Sequence, residues 1–287
     1  MKSQREGPFS YIPVNRRPLL KWPNEARVAV WVIPNVESFA LDEKIIGDRK
    51  IPEVQAFSQR DYGARIGIYR IMDIMSQRKI RGSITLNSEV CDVYPEIIQD
   101  AMALQWEFLG HNQSNTRRLH DIPPHTEAKV IHDALDRITN FTGVRPRGWL
   151  GSGLSETWNT LDYLANEGIE YVCDWVNDDQ PYYMDVDGYK MINLPYTAEI
   201  NDLPQFRLGR SNEEFDAMAK AAFDRLYLEG DRSARVMAIA IHPFVIGVSH
   251  RIWVLESILD YISGHDKVWF ATGSEIIDAW RESGATF

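Results

Sequence analysis

The stretch Trp106-Glu107-Phe108-Leu109-Gly110-His111-Asn112-Gln113-Ser114-Asn115 reads as a short buried strand that stops at a glycine and then presents polar side chains. Phe108 and Leu109 supply the apolar part, Gly110 the break, and His111 and Asn115 the chemistry. The pattern recurs in both directions from it. The apolar run 28–33 ends in Pro34-Asn35-Val36-Glu37, and the run 82–87 ends in Asn87. Residues 147–150 carry Trp149, residues 171–176 carry Asp174 and Trp175, and residues 191–196 close on Tyr196. The run 235–241 has almost no polarity and ends in His242-Pro243. Parallel strands that all finish on His, Asn, Asp or Glu bring those residues to one end of a sheet, where a pocket forms.

Helical periodicity fills the intervals. Ile68, Ile71, Met72 and Met75 mark one face of a helix over 64–78. Pro95 opens another, and Thr126 begins a third that Gly143 closes. Ser155 is a candidate cap for the helix carrying Leu161 and Leu164. Further helical faces lie over 212–228, around Ile252 to Ile262, and after Gly273-Ser274. About eight strands alternating with helices predict an α/β fold of the (β/α) barrel type. Residues 25–287 are expected to form one barrel domain, with the Pro-, Arg- and Lys-rich residues 1–24 as an arm lying on it. Residues 38–63 read as a long loop, a length that often carries function.

Composition narrows the function. The chain has 287 residues, 44% hydrophobic and 25% charged, which suits a soluble globular protein with a sizeable core. A formal net charge of −10 without a dense Lys/Arg block argues against nucleic acid and anionic membrane as partners. No stretch approaches the ~20 apolar residues of a membrane span, and no apolar run follows the N-terminal charges as in a secretory signal. Cys91 and Cys173 sit among apolar residues without metal or disulfide spacing, as expected of reduced thiols in a cytoplasmic protein.

Each polar strand end has a bland and a chemical reading. His242 is either a core histidine bonded to a carbonyl or a general acid or base, since imidazole titrates near neutrality. Glu37 is either a solvated loop carboxylate or the base that takes a proton from water. Asp174, between Cys173 and Trp175, is either a structural ion-pair member or the group that orients His242. His111 and Asn115 have the spacing of a metal pair, but only the histidine is a good ligand, and no His-His-carboxylate set matches a catalytic zinc site. Asp178, Asp179, Asp185 and Asp187 lack the pattern of a calcium loop and read as solvated.

These motifs resemble the polysaccharide deacetylase (NodB-homology) superfamily, and more closely its metal-independent, allantoinase-like branch, over roughly residues 28–280. The resemblance rests on Asn35-Val36-Glu37-Ser38, on His111 with Asn115, loosely on Arg147-Gly148-Trp149-Leu150, on Asp174-Trp175, and on Ile239-Ala240-Ile241-His242-Pro243. It implies a distorted (β/α) barrel that hydrolyses a C–N bond, with Glu37 as base and His242 as acid. Ser38 and Asn115 stand where the deacetylases carry a metal carboxylate and a second metal histidine, so no cofactor is expected beyond weak residual metal binding through His111. The reading that follows is hydrolysis of a small cyclic amide, imide or ureide. Asp174 holds His242; His111, Asn87 or a backbone N–H meets the oxyanion; Asn35 and Asn115 contact the substrate; and Trp149, Trp175 and Tyr196 shape a flat pocket. A small-molecule substrate is the expected partner, and relatives imply a homo-oligomer. Two alternatives remain: a metal-dependent deacetylase with non-standard ligands, and an inactive ligand-binding module.

Overall fold

Strand β1 (Val28–Val36) is buried at every position, and the sheet curls about it. In the computed structural model, which describes residues 6–45, 47 and 50–287, β8 (Arg235–Ile241) runs parallel to β1 from Val28↔Arg235 to Pro34↔Ile241. On its other side β1 is shared. β9 (Val268–Phe270) pairs with Val28–Val30, and β2 (Ser83–Leu86) pairs with Asn35 and Val36. The sheet continues in parallel through β3 (Glu107–Gly110), β4 (Gly148–Trp149), β5 (Tyr171–Val172) and β7 (Tyr189–Asn193). β6 (Tyr182–Val186) closes the order as an antiparallel edge. The outer edge of β8 meets irregular chain: Val236 N donates to the Asp179 carbonyl at 2.8 Å and Ala240 N to that of Ile200 at 2.9 Å. The expected distorted (β/α) barrel therefore forms, with part of its wall made by loop.

The period-2 alternation of strands divides the core. Ala29, Trp31 and Ile33 pack inside with Val236, Ala238, Ala240, Leu109, Tyr171, Cys173 and Ile192. Val28, Val30 and Val32 face outward and pack with Met237, Ile239, Ile84 and Leu86 against the helices. A one-residue slip would exchange the two sets, and each buried Val or Ile so exposed costs about 1.5–3 kcal/mol. The helices are α1 (Val54–Tyr62), α2 (Ile68–Gln77), α3 (Val90–Val93), α4 (Pro95–Ala103), α5 (Glu127–Thr142), α6 (Thr160–Asn166), α7 (Asp202–Arg207), α8 (Asn212–Gly230), α9 (Ile252–Ser263) and α10 (Gly273–Glu282).

Three local expectations need correction. The helix expected from residue 64 begins at Val54 and passes from α1 into α2 through a π-helical turn at Gly63–Gly67. α1 buries Ala56 and Arg60, too little apolar surface to give a periodic stripe. Within the loop expected over 38–63, residues 46, 48 and 49 lie outside the described residues. Second, β6 and β7 form a hairpin whose two loop residues, Asp187 and Gly188, have φ of 47° and 90°, the sign a type I′ turn requires. The acidic stretch is thus partly a hairpin tip, and its Asp178 pairs with Arg17 at 2.5 Å. Third, α6 starts after Asn159 rather than at Ser155.

Residues 1–5 of the expected arm lie outside the described residues. From residue 6 onward the arm packs on the barrel. The Pro8 carbonyl accepts from Asp185 N at 2.7 Å, Phe9 stacks edge-on against Trp175 and Tyr182, and Leu20 and Trp22 are buried. Among the described residues, no helix is long and apolar enough to cross a membrane.

Candidate active site

The inward parity of the strands continues past their ends. Trp31 and Ile33 lead to Asn35 and Glu37, Ala240 to His242, Leu109 to His111, and Leu194 to Tyr196. The barrel interior is therefore apolar along the strands and polar at their C-terminal mouth. There Asn35, Glu37, His111, Asn115, Tyr196 and His242 line a pocket of about 210 Å³.

Glu37 Oε1 lies 3.8 Å from His111 Nε2 and 3.8 Å from His242 Nε2. The Asn115 amide donates a short hydrogen bond to the same oxygen. Burial opposes ionisation of Glu37, but His111, His242 and Arg60 outweigh it and hold the carboxyl below its ordinary range. For His242 the balance runs the other way: burial disfavours the imidazolium, and the negative charges of Asp202 and Glu37 raise its pKa above the ordinary histidine value. The two shifts favour a carboxylate beside an imidazolium.

His242 is held by Asp202. Its Nδ1 donates to Asp202 Oδ1 at 2.7 Å, and Asp202 Oδ2 accepts from His242 N at 2.8 Å and Ile246 N at 3.1 Å. Nε2 of His242 is thereby aimed into the pocket. His111 Nδ1 lies 2.6 Å from the Leu150 carbonyl, which can only accept, so Nδ1 carries a hydrogen. Its Nε2 is buried without a partner among the described residues. With a hydrogen on Nδ1, that atom is an acceptor in the neutral ring and a donor toward the Glu37 side in the imidazolium.

Four further expectations are corrected. Asp174 does not hold His242. Tyr171 and Cys173 take the inward positions of the fifth strand segment, so Asp174 points the other way, where its Oδ1 accepts from Gly151 N at 2.8 Å. Its neighbour there is Glu156: burial and the Glu156 carboxyl raise Asp174, while burial and the charge of Glu127, against hydrogen bonds from Asp174 and Trp175, bring Glu156 to about 7. Trp149 is one residue out of phase in the same sense. It is wholly buried between the sheet and α5, and a Cβ on Gly110 would come within 2.6 Å of its ring. Trp175 lies against Phe9, with Nε1 donating to Glu156 at 3.2 Å, outside the pocket. Asn87 sits behind the pocket wall: its Oδ1 accepts from Ser38 N at 2.9 Å, and its Nδ2 donates to Asn115 Oδ1 at 3.2 Å and to the His111 carbonyl. It anchors the loops that carry Glu37 and His111. Asn35 accepts from Thr85 at 2.8 Å and donates to Tyr196 at 2.9 Å, tying two pocket walls together.

The residues that sequence reasoning missed are Asp202 and the pocket-lining Phe39, Arg60, Arg118, Arg207 and Phe244. Arg60 lies over the rings of Phe39 and Phe244, 4.6 and 5.0 Å from their centres.

A catalytic metal fits this donor set poorly. The Asn115 amide nitrogen faces Glu37 while its oxygen is taken by Asn87, and the Ser38 hydroxyl turns to Glu89 at 3.4 Å. Two imidazole nitrogens approach one carboxylate oxygen, but His242 is favoured as the imidazolium, which leaves His111 Nε2 and Glu37 where three protein ligands are usual. Among the described residues no cluster of three or more His, Cys, Asp or Glu is placed to hold a metal.

No protein-family profile matches the chain. A provisionally named polysaccharide deacetylase of Schizosaccharomyces pombe is 24% identical, over 93% of each chain. Two crystal structures superpose along nearly the whole length. A provisionally named polysaccharide deacetylase from Pseudomonas aeruginosa PAO1 is 26% identical with a TM-score of 0.85, covering 94% of this chain and 96% of its own. PuuE allantoinase is 25% identical with a TM-score of 0.85, covering 96% of this chain and 99% of its own. Barrel, full-length similarity and the order of strand-end residues together match the chain to the polysaccharide deacetylase (NodB-homology) superfamily, with an allantoinase among its structural neighbours.

Proposed function

We propose that the pocket hydrolyses the C–N bond of a small cyclic amide, imide or ureide. The observation that carries this is the placement of Glu37 Oε1 at 3.8 Å from His242 Nε2 in a pocket of about 210 Å³. A depressed carboxyl and a raised imidazole give the base and the acid the protonation states that hydrolysis needs. Glu37 removes a proton from water as the water oxygen attacks the carbonyl carbon. His111 Nε2, as an acceptor, orients that water. Negative charge on the carbonyl oxygen develops beside the His242 imidazolium and the Arg60 guanidinium. As the C–N bond breaks, His242 delivers its proton to the departing nitrogen. The proton on Glu37 then passes to His242, leaving a carboxylic acid and an amine or urea nitrogen as products. Similarity to PuuE allantoinase supports a ureide.

The test is the Glu37→Gln protein against a panel of cyclic amides and ureides that the wild type hydrolyses. Loss of a general base lowers kcat by about 10²–10⁴, and wild-type turnover by the variant removes Glu37 from the base role. One observation favours a second reading, a metal-dependent deacetylase: the unpartnered, buried Nε2 of His111. Stoichiometric zinc in protein purified without a metal-binding tag, with activity lost to chelators and restored by zinc, selects that reading instead.

A further inference from the structure

On a chain of net charge −10, the described residues that line the pocket include three guanidinium groups, Arg60, Arg118 and Arg207, against one carboxylate, Glu37. They come from separate segments: α1, the chain after β3, and the last turn of α7. Arg60 is buried, and its Nη1 donates to the Ala56 carbonyl at 2.9 Å while its Nε has no partner among the described residues. Arg118 packs on Gly153, where a Cβ would lie 2.8 Å from its Cζ. Among the described residues neither Arg118 nor Arg207 makes a side-chain hydrogen bond or ion pair, whereas the adjacent Arg117 pairs with Glu43 and Glu89. Most other arginines of the chain are matched, such as Arg147 with Glu170 and Asp278, and Arg27 with Asp231. Arg207 is close enough to Arg60 and His242 to disfavour the charge on both. Arg60 is countered by Glu37 and Glu53, whereas Arg118 and Arg207 add like charge at the mouth, a cost that a bound anion reverses.

We propose that the substrate is itself anionic: a small cyclic amide or ureide whose ring bears a carboxylate, held by Arg207 and Arg118 at the pocket mouth while Arg60 faces the reacting end. The scissile bond in this statement rests on the C–N hydrolase reading above. The planar guanidinium fork suits a carboxylate, and the pocket volume of about 210 Å³ suits a substituted ring rather than a sugar chain. Arg207 shares α7 with Asp202, so one short helix positions both the anion and the acid that must meet the ring.

Dihydrouracil and dihydroorotate differ by the ring carboxylate and form the probe pair. Their binding to full-length Glu37→Gln is measured by calorimetry, and their turnover is measured with the wild type. Hydrogen bonds to a charged group predict that dihydroorotate binds about 10–100-fold tighter. The preference should shrink with added salt and in Glu37→Gln proteins also carrying Arg207→Gln or Arg118→Gln. Equal affinities, binding of neither probe, or a preference that survives both arginine replacements overturns the inference. Tighter binding of dihydroorotate without wild-type turnover of either compound leaves it standing and sinks the hydrolase reading. Turnover of both compounds with no preference does the reverse.

Discussion

Replacing Asp202 with Asn exchanges one oxygen for an amino group at a point where three donors converge. Oδ2 accepts from His242 N and Ile246 N, and Oδ1 accepts from His242 Nδ1. The Asn oxygen must stay on the two backbone N–H groups, because an NH2 there would face donors. The NH2 is then left opposite Nδ1, which has to give up its hydrogen and accept. The ring keeps its proton on Nε2 but loses the negative charge that raises its pKa, while burial continues to oppose the imidazolium. A hydrogen bond to a charged group is worth about 1.5–3 kcal/mol, and losing it lowers the pH at which His242 gives up its proton. A proton needed for catalysis is lost as pH rises through that pKa. The alkaline limb of the kcat profile should therefore move to lower pH, and kcat at neutral pH should fall by about 10²–10⁴, the share of a general acid. KM should change far less, since the ring remains in the pocket. The assay is a pH–rate profile on a confirmed substrate, with the melting transition as a check on folding. A folded Asp202→Asn protein whose alkaline limb stays in place refutes the positioning role.

Gly67→Ala puts a Cβ 2.1 Å from the Pro243 carbonyl oxygen, against the loop that carries His242. Overpacking of this kind costs about 1–3 kcal/mol, and a wild-type urea midpoint would show that the contact yields. Trp149→Ala should cost about 3–5 kcal/mol in urea unfolding. It should leave KM for a small substrate nearly unchanged, because the ring lies outside the pocket; a large KM effect with little loss of stability would restore Trp149 to the pocket wall. The guanidinium of Arg147 outweighs partial burial, with help from Arg281, and holds Glu170 down to about 2. The stability from this depressed carboxyl is present above the ordinary value of 4.5 and is lost as pH falls toward about 2. Glu170→Gln should lower stability at neutral pH by about 1 kcal/mol or less, since the cluster is partly exposed. The difference from wild type, read from melting curves, should close as the solution is acidified.

The barrel was legible because its strands are short apolar runs with period-2 inner and outer faces. What escaped reading lacked an apolar stripe. α1 buries one alanine and one arginine, so its sequence looks like loop, and only packing against Pro243 and Phe244 through Gly63 and Gly67 explains why it is helical there. The β6–β7 hairpin did leave a signal, Asp187-Gly188 between alternating residues, which was hidden by reading the nearby aspartates as one solvated cluster.

Parity also separates the site residues that were legible from those that were not. Asn35, Glu37, His111, Tyr196 and His242 are each the next inward position after an apolar inner face, so strand alternation delivers them to one mouth. Trp149 and Asp174 stand at comparable strand ends, but one residue out of phase, and the pleat turns them toward α5 and Glu156 instead. Asp202 could not be found this way, because it follows no strand of the inner face. It reaches His242, 40 residues later in sequence, because the chain after β7 returns along the free edge of β8 through the bridge of Asn201 to Ala240. That return sets the mechanism. The carboxylate that fixes the proton on His242 Nδ1 also ties down the backbone of His242 and Ile246, so loop geometry and acid strength depend on one side chain. A substitution that loosens the 197–202 segment should thus show itself first in the pH dependence of turnover, before any loss of the barrel.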